Sequence, residues 1–406
     1  CDNTGNVTVS AKTGNSPHIG GGAGYATGNI TSGSNIGTIS VSSTTTTGTS
    51  YVGGYVGQCY GGTEFSEISN TGNVTFSGDC GNNTLALGGT VGSVSIAGAF
   101  TNCSNNGVVT LAKDAKASKV HYVGGLVAYS VAGSSYTSCT NSTKAGVEWG
   151  IVIHQTSSTT GGSSAKRIGG VIGNASTTTL KDVSNSAGIY HDGYQLGTAG
   201  LSIGGIGGTM GATTVSGVIK NSGNIYYAGR CPKSNFGIAG IFATPGSSTL
   251  TGATITNTGN ITIEKKFDDF IPTDNGSHKC VCGGITGYAP TALANATSFC
   301  KISILNWRAD SGTKANNNFY GLIQGINTPT NHITNCKVGG TLELTTGTIQ
   351  DEYSGTTEEV NLPGTITVAN YAKYLTGDQT FTSAAAKTQK IGVITSADDT
   401  TPKYAE

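Results

Sequence analysis

Residues 70–76 read Asn-Thr-Gly-Asn-Val-Thr-Phe, and residues 87–89 read Leu-Gly-Gly. Both motifs return in alternation, about every 35 residues, along most of the 406-residue chain. Copies of the first motif contain Asn3, Gly37, Asn70, Asn106, Asn221 and Asn257. The second glycine of the Gly-Gly motif, or its equivalent, stands at Gly21, Gly54, Gly89, Gly125, Gly170, Gly205, Gly240, Gly284 and Gly321. Repetition at this interval is typical of solenoid proteins.

Each unit is too short to fold alone, and its apolar residues alternate with polar ones. Val74 and Phe76 share one face while Thr75 lies on the other, which indicates a strand. Strands at a fixed interval must stack on their counterparts in the next unit. The sequence therefore predicts an all-β fold, a parallel β-helix (β-solenoid) of about nine to ten coils over residues 1–345.

Gly and Asn have structural roles in such a fold. Corners between strands require left-handed backbone conformations, which these two residues tolerate best. Stacked Asn side chains can also hydrogen-bond to one another along the rod.

The repeat stops after residue 345, and residues 346–406 carry more charge. Because the end of a solenoid exposes unpaired strand edges, this segment is predicted to be a small C-terminal cap with a short helix at 368–375. The chain begins inside a repeat, which predicts upstream coils, another domain or a partner at that end.

The composition excludes several classes of protein. Charged residues are 11% of the chain, against about 25% in typical soluble domains. Lys and Arg equal Asp and Glu at 22 each, so no basic surplus exists for nucleic acid. The sequence contains no run of 18 apolar residues, so no transmembrane helix is predicted.

The cysteines divide into two groups. One buried position of the repeat, two residues before the motif Asn, is aligned as Cys1, Gly33, Ile68, Cys103, Cys139, Val183, Ile219, Ile255, Ile304 and Cys336. Cysteine there behaves as a small apolar residue, and Cys103 and Cys139 are either stacked thiols or a disulfide. Cys59 and Cys80 lie outside this position and are the predicted disulfide. Cys1 has a second interpretation, the lipid-bearing first residue of a mature lipoprotein.

No catalytic, cofactor or metal site is expected. Carboxylates are sparse, and the one cluster, Asp268, Asp269 and Asp274, falls in a charged insertion. His278, Cys280 and Cys282 lack a fourth ligand, and alternate residues of a strand point in opposite directions.

Tyrosines are the candidate binding residues, because their rings offer stacking surfaces for sugars and anchors for proteins. The 17 tyrosines far outnumber the two tryptophans. Long units at 125–170 and 240–284 are predicted to contain insertions, which are either loops on the binding side or surface additions without a role in binding. The predicted binding residues are Tyr51, Tyr55, Tyr60, Tyr122, Tyr129, Trp149 and Tyr288.

The stretch Val123-Gly124-Gly125-Leu126-Val127, followed by Tyr136-Thr137-Ser138-Cys139-Thr140-Asn141, resembles the GLUG-type repeats of bacterial cell-surface and adhesin proteins. The resemblance covers about residues 1–345 and weakens in the terminal copies and long insertions. It implies a secreted, surface-attached β-solenoid, and it implies neither a ligand nor a catalytic residue.

These features together favour a non-enzymatic extracellular protein of the cell surface, an adhesin or stalk segment that binds glycans or proteins. The alternative is a subunit of an extracellular filament that associates end to end or side to side. Its grounds are the open first coil and strands such as Ile203-Gly204-Gly205-Ile206, which are apolar on both faces. A lower alternative is a polysaccharide-degrading β-helix enzyme.

Overall fold

The computed structural model describes the chain apart from certain segments. Those left out are residues 11–12, 43–44, 63, 82, 117–118, 132, 155–164, 194–199, 229–235, 265–279, 308–317, 327–331, 347–365, 378–380 and 405–406. The described residues form a parallel β-solenoid with almost no helix, so the predicted fold class is confirmed.

A typical coil has five short strands, called first to fifth here in chain order. The third strands stack into a nine-stranded sheet, and the other positions join into a 30-stranded sheet that wraps around the rod. Like strands pair in parallel from coil to coil; Gly53, Gly88 and Gly124, for example, are direct register partners. The glycine motif therefore occupies the same place in successive coils, as the repeat predicts.

The strand bounds follow this plan. First strands are Asp2–Asn3, Gly33–Asn35, Ile68–Asn70, Ser104–Asn105, Thr140–Asn141 and Ala253–Asn257. Second strands are Val7–Val9, Ile39–Val41, Val74–Phe76, Val109–Leu111, Trp149–Ile153, Gly188–His191, Ile225–Tyr227 and Ile261–Glu264. Third strands are His18–Ile19, Ser50–Gly53, Leu85–Gly88, His121–Gly124, Lys166–Gly169, Leu201–Gly204, Phe236–Ala239, Cys280–Gly283 and Asn318–Gly321.

Fourth strands are Ala23–Ala26, Val56–Cys59, Val91–Val94, Val127–Ser130 and Phe242–Thr244. Fifth strands are Glu64–Ser66, Ala99–Thr101, Ser134–Thr137, Thr249–Leu250, Ala292–Ala294 and Ile333–Thr334. Longer strands that span several positions are Ile172–Asn185, Gly207–Asn221, Ala296–Trp307 and Lys337–Thr346. Thr13–Asn15 and Thr45–Thr47 form a separate two-stranded sheet.

Columns of like side chains fill the core. Phe65, Phe100 and Tyr136 stack in three successive coils with ring centroids 4.7 and 5.1 Å apart, and each is at most 1% exposed. Burial of a large apolar side chain contributes about 1.5–3 kcal/mol, so the columns stabilise the stack.

A ladder of asparagine side chains runs through the same core. Nδ2 of Asn70 donates to Oδ1 of Asn105 at 2.8 Å and to the carbonyl oxygen of Gly72 at 2.7 Å. The side-chain link repeats through Asn3, Asn35, Asn70, Asn105, Asn141, Asn185, Asn221 and Asn257. The predicted hydrogen bonding between stacked Asn side chains is confirmed.

The ladder explains why the second residue of the Gly-Gly motif is glycine. A Cβ on Gly54 would overlap the Asn70 carboxamide and the Gly89 carbonyl oxygen, and a Cβ on Gly125 would overlap Asn141. The asparagine of the first motif thus packs directly against the second glycine of the Gly-Gly motif.

One corner of the coil has a left-handed backbone at the residue three positions before the ladder asparagine or its register equivalent. Glu67, Asn102, Ser138, Asp182, Asn295 and Asn335 have φ values between 50° and 56°. The predicted left-handed corners are present, although three of these six residues are neither Gly nor Asn.

The aligned cysteine position needs one correction. Register places Ala296, and not Ile304, beside Ile255, while Ile304 pairs with Ile263 in the second strands. The shift arises because Ser298 replaces the ladder asparagine in that coil.

Residues 366–377 and 381–404 pack against the end of the last coil. Leu322 and Ile323 donate backbone hydrogen bonds to Tyr374 and Leu375, while Gly392–Val393 pairs in parallel with Lys337–Thr346. A 3₁₀ helix at Tyr371–Tyr374 and an α-helix at Ser383–Thr388 lie in this segment. Neither described helix has the length and apolar character needed to cross a membrane.

Candidate functional site

The third and fourth strands together form the candidate site. One set of aligned positions on the third strands holds His18, Tyr51, Ala86, Tyr122, Arg167, Ser202 and Gly237. A set on the fourth strands holds Tyr25, Gln58, Ser93, Tyr129, Asn174, Thr209 and Thr244. Side chains of the two sets contact each other, and we call this surface the tyrosine face.

Close backbone approach brings the two sets together. A Cβ on Gly173 of the fourth strand would lie 2.6 Å from the carbonyl oxygens of Val123 and Ala128. A Cβ on Gly208 would meet the backbone of Ile168 equally closely. The third glycine of the Gly-Gly-x-x-Gly motif therefore allows side chains of both strands to lie next to each other.

At one end of the tyrosine face, a histidine packs between two tyrosines, and a third tyrosine stacks on one of these. The His18 ring stacks on Tyr51 at 5.1 Å and meets Tyr25 edge-on at 5.0 Å. Tyr25 also stacks on Tyr60 at 5.5 Å. Tyr25 and Tyr60 are 44% and 56% exposed, so two ring surfaces face solvent. Burial lowers the pKa of His18, which favours its neutral form.

Further along the rod lies a second aromatic cluster that contains a cation. Tyr122 stacks on Tyr129 with centroids 4.7 Å apart, and the Arg167 guanidinium lies 5.6 Å from the Tyr122 ring centroid. Nη1 of Arg167 donates to Oδ1 of Asn174 at 2.9 Å. Burial raises the pKa of Tyr122, and the Arg167 charge acts in the opposite direction.

Hydroxyl and amide groups occupy the rest of the face. Gln58 donates to Ser95 at 2.6 Å, and the hydroxyl oxygens of Ser202 and Thr244 are 3.0 Å apart. Beyond them Tyr288 contacts the site of Gly237, since a Cβ there would lie 3.0 Å from its ring. Of the smaller side chains on the face, Ser202, Thr209 and Thr244 are half-buried, whereas Ala86, Gln58 and Ser93 are buried.

Five of the predicted binding residues belong to this surface: Tyr51, Tyr60, Tyr122, Tyr129 and Tyr288. Tyr55 was a wrong choice, because it is 3% exposed and its hydroxyl donates to the Cys1 carbonyl oxygen at 2.9 Å. Its ring fills space beside Gly22 and Gly33, where no side chain competes. Trp149 lies elsewhere, on a second strand.

Around Trp149 is a separate cluster that combines aromatic and acidic side chains. Tyr190 and Tyr226 stack with centroids 5.2 Å apart, and Trp149 packs on them at 5.5 and 6.3 Å with tilted rings. All three side chains are half-buried. Nδ1 of His154 lies 2.7 Å from Oδ1 of Asp192.

Hydrogen bonds engage both carboxylates of this cluster. The Tyr190 hydroxyl donates to Oδ2 of Asp192 at 3.2 Å, and the Tyr226 hydroxyl donates to Oε2 of Glu264. Burial and the neighbouring carboxylates raise the pKa of both tyrosines, so their phenols remain protonated donors. Both carboxylates therefore accept hydrogen bonds from tyrosine hydroxyls.

Sequence reasoning missed this cluster. Register pairs Ile153 with His191, so His154 and Asp192, each the next residue, also align. The signal was present, but insertions of different lengths follow these residues and hide the alignment.

The predicted Cys59–Cys80 disulfide is absent, since both thiols are free and buried. Cys80 donates to Ser50 at 3.3 Å, whereas Cys59 lies near Cys103. Cys103 and Cys139 are free thiols in contact with each other, which is the stacked alternative.

Among the described residues, no group of three His, Cys, Asp or Glu side chains has the arrangement of a metal site. His278, Cys231, the side chain of Cys280 and the charged stretch 265–274 lie outside the described residues.

Comparison of the chain with protein-family models, with curated proteins and with solved structures finds no match.

Proposed function

We propose that this chain is a non-enzymatic extracellular protein of the cell surface, an adhesin or stalk segment that binds glycans through the tyrosine face. One observation carries the proposal: rings and small polar groups lie side by side along successive coils, with Tyr122 stacked on Tyr129. Sugars present C–H groups to aromatic rings and hydroxyls to amide and hydroxyl partners.

The rigid scaffold under the tyrosine face also favours ligand binding. Backbone pairing from coil to coil fixes the third strands, and the stacked rings restrain one another. A preorganised surface loses little conformational entropy when a ligand binds, so modest contacts suffice for measurable affinity.

Other features support a binding role over catalysis. The carboxylates near Trp149 are hydrogen-bond acceptors from Tyr190, Tyr226 and His154, and the third and fourth strands contain no Asp or Glu. The filament alternative loses one of its grounds. Ile203 and Ile206 are both fully buried, because the chain turns a corner between them and both enter the same core.

The test is binding of the purified 406-residue chain to a glycan array, followed by calorimetry with the best oligosaccharide. We expect Tyr122→Ala and Tyr129→Ala each to weaken binding about 3- to 10-fold, because one ring stack contributes about 0.5–1.5 kcal/mol.

The matched control is Tyr404→Ala, which removes a half-buried ring from the C-terminal segment and should leave affinity unchanged. Turnover of a polysaccharide would overturn the proposal, and so would wild-type affinity in both face variants.

A further inference from the structure

Arg167 stands out because it is a charged group on an otherwise uncharged surface. In the described part of the chain, its guanidinium has no carboxylate within ion-pair distance. The third strands and the aligned fourth-strand positions contain no Asp or Glu, and their one other Lys or Arg, Lys166, is 1% exposed and points into the core. Among the described residues, a formal positive charge is therefore presented without a neutralising carboxylate.

The guanidinium is also held in a fixed orientation. It lies over the Tyr122 ring on one side, and Asn174, which is only 5% exposed, accepts a hydrogen bond from Nη1. A guanidinium has five N–H donors in a planar fork, and this bond uses one of them. The remaining donors are suited to bind a planar or tetrahedral anion with two parallel hydrogen bonds.

The stacked ring of Tyr129 lies next to this donor group. Tyr129 is half-buried and belongs to the same coil as Tyr122, one coil before Arg167. Register pairs Tyr122 with Arg167 and Tyr129 with Asn174, and neighbouring coils are about 4.8 Å apart, so a sugar ring that packs on Tyr129 lies one coil from the guanidinium.

We propose that Arg167, Tyr122 and Tyr129 form a subsite for an acidic sugar unit, in which the guanidinium binds a carboxylate or sulfate group while the ring packs on tyrosine. This inference rests on the proposed glycan-binding function and names the class of glycan. Asn174 is a positioning residue that holds the guanidinium flat.

The other aromatic surface has the opposite charge. Asp192 and Glu264 flank the rings of Tyr190 and Tyr226. Like charges repel, so an acidic glycan is directed away from that cluster and toward the tyrosine face.

The experiment measures calorimetric binding of the full chain to three oligosaccharides of equal length. One is a uronic-acid oligomer, the second is its carboxyl-reduced neutral counterpart, and the third is the neutral oligomer carrying sulfate. We expect Arg167→Gln to weaken the acidic ligand about 10- to 100-fold and the neutral ligand less than about 2-fold. Asn174→Ala should weaken only the acidic ligand, by several-fold, and Tyr129→Ala should weaken all ligands that bind.

Lys220→Gln is the matched control, because it removes one exposed positive charge from a first-strand position of the solenoid. It should bind like wild type, and thermal melts should show that every variant is folded. Added salt should weaken the acidic ligand and not the neutral one.

Each outcome has a defined meaning. Preference for the uronate or for the sulfated oligomer, lost in Arg167→Gln, supports the subsite and identifies its anion. Equal binding of neutral and acidic oligomers, unchanged in Arg167→Gln, overturns the acidic subsite and leaves the glycan-binding function in place. Absence of binding to any glycan overturns both.

Discussion

The side chain of Asn105 meets two others of its own kind, Asn70 below and Asn141 above, inside the core. Its Nδ2 also donates to the carbonyl oxygen of Gly107, and its Oδ1 accepts from the Gly107 amide. Every polar atom of the carboxamide is therefore used, which is the condition under which a fully buried amide is stable.

We expect Asn105→Ala to lower the free energy of unfolding by about 2–4 kcal/mol, because it leaves buried groups on both neighbours without a partner. Urea denaturation followed by circular dichroism measures the change. Asn3→Ala is the control, since its carboxamide is only partly buried and water can replace its partner. Equal losses in the two variants would contradict this account of the ladder.

Lys166 places an ionisable amine in the core. Burial lowers its pKa to about 7, and its charge lowers the pKa values of the buried His121 and His191 further. An unfolded lysine has a pKa near 10.4, so between pH 7 and about 10 the unfolded state binds a proton that the folded state does not. Stability from this residue therefore rises with pH across that window.

The expected result is that Lys166→Met has a flatter stability profile than wild type between pH 7 and pH 9. It should also be the more stable protein at pH 7, by about 1 kcal/mol or more, since one pKa unit corresponds to about 1.4 kcal/mol. Urea midpoints at both pH values provide the measurement. Burial raises the pKa values of the core thiols, so their contribution to stability falls as pH rises. That contribution is the same in wild type and in Lys166→Met, and it cancels in the comparison. Lys220→Met, which removes an exposed lysine, should have the same stability profile as wild type. If the profile of Lys166→Met runs parallel to that of wild type, the buried Lys166 is not the source of the pH dependence.

Single side chains were the hardest part to predict from sequence. The repeat indicated stacked asparagines and aligned glycines, because both depend on spacing, but it took Asn106 where the ladder has Asn105. Burial of Tyr55 depends on space beside Gly22 and Gly33, which no spacing reveals. The Cys59–Cys80 pairing failed for a similar reason, since proximity across the core depends on how each strand turns.

At the scale of elements, the segment after the repeat reproduces one corner and one short strand of a further coil, without forming a complete coil. Lys390 has φ of 56°, like Ser138 and Asn335, and Gly392 then pairs with Lys337. The amides of Gly392 and Ile394 donate to Cys336 and Val338 at 3.1 and 2.8 Å. This short strand therefore occupies the edge that a further coil would occupy.

Removing everything after Thr346 should expose that edge and cause concentration-dependent association, because unpaired edge strands accept further strands. Sedimentation velocity over a range of concentrations would detect it. Asp399→Ala is the control, because the Asp399 carboxylate accepts from Thr395 and Thr401 within the segment's own turn. A truncated chain that stays monomeric throughout would argue against a protective role.

Elements were predicted well where the repeat is regular and poorly where it is interrupted. The second and third strands follow from alternation and spacing. The coil containing Ser298 was misaligned, because the asparagine that marks the register is missing there. The cluster of Trp149, Tyr190 and Tyr226 was missed because the insertions after it differ in length.

For the whole molecule, near-identical coils imply that stability is roughly a sum over coils and their contacts. Deleting residues 68–102 would join Glu67 to Cys103, which occupies in its own coil the position that Ile68 has after Glu67. Asn35 would then donate to Asn105, and Tyr51 would lie next to Tyr122.

We expect this deletion variant to fold cooperatively with a β-sheet circular dichroism spectrum and a slightly lower melting temperature. Deletion of residues 68–85, about half a coil, is the control and should prevent folding because every later column is displaced. If both deletions behave alike, the coils are not interchangeable units.

The asparagine ladder also gives the rod a direction. Every carboxamide donates toward the C-terminal end and accepts from the N-terminal side, from Asn3 through to Asn257. Aligned amide dipoles add along a chain of hydrogen bonds, as they do along a helix. Reversing one carboxamide would place donor against donor on one side and acceptor against acceptor on the other. Any asparagine added to the series must therefore have the same orientation as the others.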